Sequence, residues 1–296
     1  MGMFQERYGK KIGVSKLLAL SALATLAIAG ICQTTHAAVV ASDNAGNYAY
    51  SSGWSNGSNG RSGFGAWSLT TIGSNSGFFT GSSTQNDNGK SLPAGDSSDI
   101  DSNGTAWGLY ANSGSVATAT RDFTGSALAV GQSFSLAFDN GNIGAGASDT
   151  ISLLDASGNT LFQFGFAGGL NDYFYTDATS TAADAGIPFT YFGLDTVFTL
   201  TSATTYSLTV TPIDTAISLK TITGTISGSI AGFNAVNDNA GGNTGGNDYN
   251  FYINSATVSA ASSSAVPLPA TFGFVLAGGI GMAAMGLNRR RSNIKA

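Results

Sequence analysis

The chain holds one cysteine, Cys32, one histidine, His36, and one glutamate, Glu6, all within its first 36 residues. From residue 38 to 265 the charged side chains are sixteen aspartates against four basic residues, Arg61, Lys90, Arg121 and Lys220, a balance of −12. These scarcities exclude much chemistry. Without histidine in that span, no Ser-His-Asp or Cys-His nucleophile can be assembled there. Zinc sites normally draw on His or Cys, so zinc is not expected. No disulfide framework is possible, and stability must come from packing, for which about 230 residues suffice. An acidic body lacks the basic footprint that phosphate contacts require, so nucleic acid is not an expected partner.

The body also lacks any helix-length amphipathic pattern. It has short alternating runs instead. "SFSLAF" (133–138) puts Phe134, Leu136 and Phe138 on one face, the period of a half-buried strand. "DTISLLDASGNTLFQFGF" (149–166) reads as strand, turn, strand, with Phe162, Phe164 and Phe166 on one side. "DTVFTLTSATTYSLTVTP" (195–212), "ISLKTITGTI" (217–226) and "YNFYINSATVSA" (249–260) continue the series. Roughly ten to thirteen short strands predict an all-β fold, an antiparallel β-sandwich over 38–260. Two polar, Gly/Ser/Asn-rich stretches, 51–63 and 81–104, read as long surface loops, or as tethers joining an early hairpin to the main sheets. Residues 261–265, "ASSSA", read as a linker.

Candidate sites are few. "DSSDIDSNG" (96–104) sets Asp99, Asp101 and Asn103 at alternate positions before Gly104, three oxygen ligands of the hard kind that Ca²⁺ takes. The twelfth position of that loop is Tyr110, so it is not an EF-hand, and a solvated Asp/Asn turn is the competing reading. "NDNAGGNTGGND" (237–248), with Asp238 and Asp248, is a weaker second cluster. Aromatic faces can pack on the apolar face of a sugar ring. Trp107, Tyr110, Tyr173 and Tyr175 are the candidates for such contact, with Trp54 and Trp67 beside them; core packing is the alternative for each. No aspartate pair falls in a recognisable acid–base pattern, so catalysis is not expected, and a glycan hydrolase using two aspartates is the remaining enzymatic alternative.

The two ends differ from the body. Arg7, Lys10, Lys11 and Lys16 precede the apolar run 17–31, and "THA" ends at Ala37, the pattern of a signal peptide over 1–37. At the other end Val266, Pro267, Leu268, Pro269 and Ala270 precede an uncharged, Gly/Ala-rich stretch, 271–287, followed by Arg289, Arg290 and Arg291. Seventeen helical residues reach about 26 Å, close to the hydrocarbon thickness, so a single transmembrane helix is expected there, with the arginines on the cytoplasmic side. The order "VPLPA", apolar segment, arginine cluster resembles the PEP-CTERM sorting signal in its VPLPA variant. That resemblance implies a bacterial envelope protein. It further implies an exosortase as processing partner, transient residence in the inner membrane, and export to the cell surface or an exopolysaccharide matrix.

The strand pattern from "TAWGLYANSGSVATATRDF" (105–123) to "NDYNFYINSATV" is similar to the jelly-roll sandwiches of the concanavalin A-like lectin and glucanase group. Glucanases of that group use paired glutamates around an aspartate. This body has no glutamate, so the resemblance does not carry hydrolase activity. The expectation is a non-catalytic, exported structural or adhesive protein without an obligatory cofactor, with a carbohydrate-binding module as the alternative role.

Overall fold

The computed structural model describes residues 37–93, 96 and 99–261. The expected signal peptide, the VPLPA motif, the 271–287 segment and the arginine cluster lie outside the described residues. Among the described residues no helix is long and apolar enough to cross a membrane, which says nothing of strands that might.

The described chain forms fifteen strands: β1 (Val39–Asp43), β2 (Ser68–Ile72), β3 (Ser76–Gly81), β4 (Ala106–Ala111), β5 (Val116–Asp122), β6 (Ser133–Asn140), β7 (Ser148–Leu154), β8 (Thr160–Ala167), β9 (Asp172–Thr176), β10 (Ala183–Pro188), β11 (Leu194–Leu200), β12 (Thr205–Pro212), β13 (Lys220–Thr225), β14 (Gly232–Asp238) and β15 (Phe251–Ser259). Among the described residues the only helical pieces are short 3-10 turns, including Ser83–Asn86 and Asn247–Tyr249.

The strands build two sheets, antiparallel throughout. One runs β13-β12-β11-β6-β15-β4-β3, with β1 added to β15; the other runs β10-β9-β8-β7-β14-β5-β2. The chain crosses between sheets from β1 to β2, β2 to β3, β4 to β5, β5 to β6, β6 to β7, β10 to β11, β13 to β14 and β14 to β15, the wrapping of a jelly roll. Strand β15 divides one of its edges. Phe251–Ile253 pair with β4, and Ala256–Ser259 pair with β1. A bulge between Asn254 and Thr257 separates the two, with Ser255 at φ 54°.

Alternation decides which side chains meet. Phe134, Leu136 and Phe138 from β6 and Tyr206, Leu208 and Val210 from β12 share one core with Phe162, Phe164 and Phe166 from β8. Phe162 joins the sheets, its ring centroid 5.2 Å from Phe198 and 4.9 Å from Tyr206. The expected hairpin of β7 and β8 forms around Asp155, whose Oδ1 accepts from the N–H groups of Ser157 and Asn159, with Gly158 at φ 83°. Tyr249 departs from the expected strand. It belongs to the 3-10 turn ahead of β15 and does not share the inward face of Phe251 and Ile253.

Parts of the two stretches read as surface loops are packed instead. In 51–63, Trp54 enters the main core, as do Phe64 and Trp67 just beyond it. In 81–104, Ile100 packs on the outer face of the first sheet with Ala106, Ala137 and Tyr252. That stretch therefore covers a sheet face which alternation alone assigns to solvent.

The described chain enters and leaves at one end of the sandwich. β1 starts beside the end of β15, and Ala260 N–H donates to Ala38 O at 2.7 Å. The opposite end carries the start of β15, the end of β6 and the Asn247–Tyr249 turn, some 25 Å away at the rise of a strand.

Candidate functional site

Three aspartates converge on the outer face of the first sheet, near that opposite end. Asp139 comes from the last turns of β6, where the side chain after inward Phe138 points outward. Asp87 follows the Ser83–Asn86 turn, and Asp99 precedes Ile100. One carboxylate oxygen from each lies within 4.8 Å of the others, and all three residues are buried. Burial comes from the 81–104 stretch, folded back over Asp139.

Several contacts fix that stretch. Asp101 Oδ1 accepts from Ser83 N–H at 2.8 Å, and its Oδ2 from the Ser82 hydroxyl at 2.6 Å. Asn86 Nδ2 donates to Asn250 O at 2.9 Å, tying the 3-10 turn to the foot of β15. Asn254, fully buried at the β15 bulge, donates to Ile100 O at 2.7 Å and Thr105 O at 3.1 Å, and accepts from Ala45 N–H. Asp99 takes positive φ, 49°, a conformation Asp tolerates better than most residues, and its Oδ1 accepts from Gly193 N–H at 2.8 Å.

The electrostatics are one-sided. Asp139 is held well above the usual carboxylate range, first by burial and then by the Asp99 charge. Asp87 is pushed up to about 7, mainly by burial, with Asp99, Asp101 and Asp96 adding to it. Asp99 is also raised by burial, against the pull of the Gly193 N–H. Tyr252, packed beneath, is pushed up to about 12 by burial first. Among the described residues no lysine or arginine pairs with these carboxylates. Lys90 lies instead over the Tyr191 ring, 5.7 Å from its centroid.

An open cleft of about 380 Å³ is lined in part by Gln85 of the Ser83–Asn86 turn. The half-buried rings of Phe79 and Tyr110 line it, with centroids 6.4 Å apart, together with the side chains of Gln85, Asn112, Asn247 and Asn250. Phe79 lies across Gly108 of β4, its register partner, where no side chain stands in the way. A second open cleft, about 360 Å³, surrounds Tyr48 and includes Asn103.

The residues singled out in the sequence are thus scattered. Of Asp99, Asp101 and Asn103, only Asp99 joins the carboxylate cluster. Asp101 is committed to Ser82 and Ser83, and Asn103 is exposed, its Nδ2 reaching Gly46 O at 3.5 Å. Asp238 and Asp248 join no such cluster among the described residues. Of the aromatic candidates, Tyr110 lines the cleft. Trp107 and Tyr173 are buried in the core. Trp107 packs against Tyr50 and Trp67, and the Tyr173 hydroxyl donates to Asn140 Oδ1 at 2.7 Å. Tyr175 is half-buried against the core, and Trp54 and Trp67 are buried in it. Sequence reading missed Asp87 and Asp139. "NDNG" (86–89) reads as an ordinary turn, and the alternation of β6 sends Asp139 to water.

No family model matches the chain, and no curated protein matches it. Among solved structures it is similar to a protein of unknown function from Shewanella oneidensis MR-1, at 12% identity and a TM-score of 0.42, over 88% of this chain and 100% of that one. It is also similar to domain 4 of AbnA, a GH43 extracellular arabinanase from Geobacillus stearothermophilus, in complex with arabinotriose. There the identity is 10% and the TM-score 0.39, over 78% of this chain and 96% of that one. The exoplasmic/lumenal domain of VIP36 in its Ca²⁺/Man2-bound form gives 10% identity and a TM-score of 0.35, over 51% and 75%.

Proposed function

We propose that the protein is an exported bacterial surface or exopolysaccharide-matrix protein, processed by an exosortase, whose β-sandwich binds carbohydrate in the Phe79–Tyr110 cleft. The observation that carries the binding role is the make-up of that cleft: two half-buried aromatic rings among four amide side chains, in an open depression. Ring faces take the apolar side of a pyranose, and amides donate and accept at its hydroxyls.

Export and sorting rest on the sequence alone, on the charged and apolar leader and on "VPLPA" with its arginine cluster. The acidic body suits a neutral glycan better than an anionic one. The role is non-catalytic. The aspartates that converge are buried under the 81–104 stretch, whereas the two carboxyl groups of a glycosidase must be open to substrate.

A glycan array probed with the protein recovered from cells tests the binding role. Binding to a set of neutral glycans that disappears in Tyr110→Ala is the expected result. Binding that survives this substitution, or release of reducing sugar, would remove the reading. Intact-mass analysis of the same material tests the sorting role, which requires a product lacking residues from both ends.

A further inference from the structure

We infer that Asp87, Asp99 and Asp139, with the Ser83 hydroxyl, form a site for one Ca²⁺ that locks the 81–104 stretch onto the outer face of β6. A cluster of acids alone would not carry this. What carries it is the set of buried oxygens left without hydrogen bonds around it. Asp87 Oδ1, Asp99 Oδ2 and both carboxylate oxygens of Asp139 have no partner, and Asp139 is only 1% exposed. The Ser83 hydroxyl is fully buried and neutral. It faces Asp99 without reaching hydrogen-bond geometry, and it too has no partner. Asn86 Oδ1, one residue before Asp87, is a further buried oxygen without a donor.

Folded proteins rarely leave one such atom unpaired, since each costs about 1–3 kcal/mol and more when charged. Three buried carboxylates within 4.8 Å of one another, each with an oxygen left unpaired, and a buried hydroxyl beside Asp99 call for a positive centre. Protein cations do not supply it. Protons can neutralise the acids, and one can bridge Asp139 and Asp99, but they bring no donor to the buried Asn86 Oδ1. A hard cation answers all of them, because Ca²⁺ takes six to eight oxygens at about 2.3–2.6 Å with flexible geometry. The donor set contains no nitrogen or sulfur, which argues against zinc and copper. Mg²⁺ demands a tighter octahedron and keeps several waters, which a dry site under a folded-over loop suits less well.

The surrounding contacts fit this role. Asp101 holds Ser82 and Ser83 in place, and Gly193 N–H takes one oxygen of Asp99, leaving Oδ2 without a partner. The ligands come from three separate segments, the 83–87 turn, the 99–101 turn and β6. The ion therefore cross-links parts of the chain that otherwise meet through few apolar contacts.

The test is isothermal titration of the whole protein, stripped with chelator, with CaCl₂ and no sugar present, alongside thermal melting. The expected result is saturable binding of one Ca²⁺ per chain and a Tm that rises with CaCl₂. Asp99→Asn should lose at least about tenfold in affinity. Asp139→Asn should abolish binding yet melt, in chelator, no lower than the parent. That melt separates loss of the site from loss of the fold. Asp155→Asn, on a distant exposed turn, should bind as the parent does. No heat and no Tm shift up to millimolar CaCl₂ would overturn the inference, as would tighter binding of Mg²⁺ than Ca²⁺. Because no glycan is present, the result stands apart from the fate of the sugar-binding reading.

Discussion

Arg121 and Asp43 form a fully buried ion pair, Nη1 to Oδ2 at 2.8 Å, that joins β5 of one sheet to β1 of the other. Each charge is further satisfied. The guanidinium also donates to Gly65 O at 2.8 Å and Asn59 Oδ1 at 2.6 Å, and lies over the rings of Phe64 and Trp67. Asp43 accepts from the Tyr50 hydroxyl at 2.6 Å. The polar stretch 51–63 is ordered around this pair. Asp43→Ala strands a buried guanidinium, and the expected loss is about 3–5 kcal/mol of folding free energy. Urea denaturation followed by tryptophan fluorescence measures it, because Trp67 stands against the guanidinium.

Stability should depend on pH in an unusual direction. Asp87, Asp99, Asp139 and Asp149 all have folded pKa values above the ordinary carboxylate value of 3.8. The folded protein therefore binds more protons than the unfolded chain once the pH passes 3.8, and stability falls as pH rises. The contribution is whole below about 4 and is lost progressively through about 7, where Asp87 ionises. In chelator the Tm at pH 5 should exceed that at pH 8. Added CaCl₂ should narrow or invert the gap, since a cation competes with those protons. A Tm in chelator that climbs from pH 5 to 8 would contradict the assignment.

Asp149 offers a separate test away from the cluster. It is fully buried on β7, neither carboxylate oxygen has a partner, and burial, followed by Asp238, pushes its pKa well up. Asp149→Asn removes the ionisable group at nearly constant volume. At pH 8 the variant should be more stable than the parent by about 1 kcal/mol or more, and at pH 5 the difference should shrink toward zero.

The Phe79 ring depends on the bare backbone opposite. A Cβ on Gly108 would stand 2.6 Å from Phe79 Cε2, so Gly108→Ala must displace the ring. The expected cost is about 1–3 kcal/mol. Any glycan binding should weaken with it. Tyr48→Ala, in the neighbouring cleft at an 88% exposed position, should change neither stability nor binding.

The sandwich was legible because its signal is local. Phe134, Leu136 and Phe138, or Phe162, Phe164 and Phe166, declare a buried face through period two alone. The site was not legible, and Asp139 shows why. Its outward position follows correctly from alternation. Its burial follows from a loop some fifty residues earlier that folds over it, and no local pattern records that. Asp99 was found for its turn chemistry, yet Asp101 and Asn103, its companions in that pattern, turn to other tasks. Trp107 and Tyr173 were ambiguous for the same reason, since an aromatic residue reads alike whether it fills a core or faces a ligand. Asn254 gave no signal at all, though its amide clamps the 99–105 turn through two backbone carbonyls, Ile100 O and Thr105 O, and the Ser102 hydroxyl.

The meeting of Ala38 and Ala260 has a practical consequence. Because the strands that open and close the sandwich lie side by side, a short peptide joining them would close a ring without bending either sheet. New ends cut at the exposed Asp155–Asn159 turn would then give a circular permutant with every strand pairing intact. The ring so closed would leave both sheets as they are.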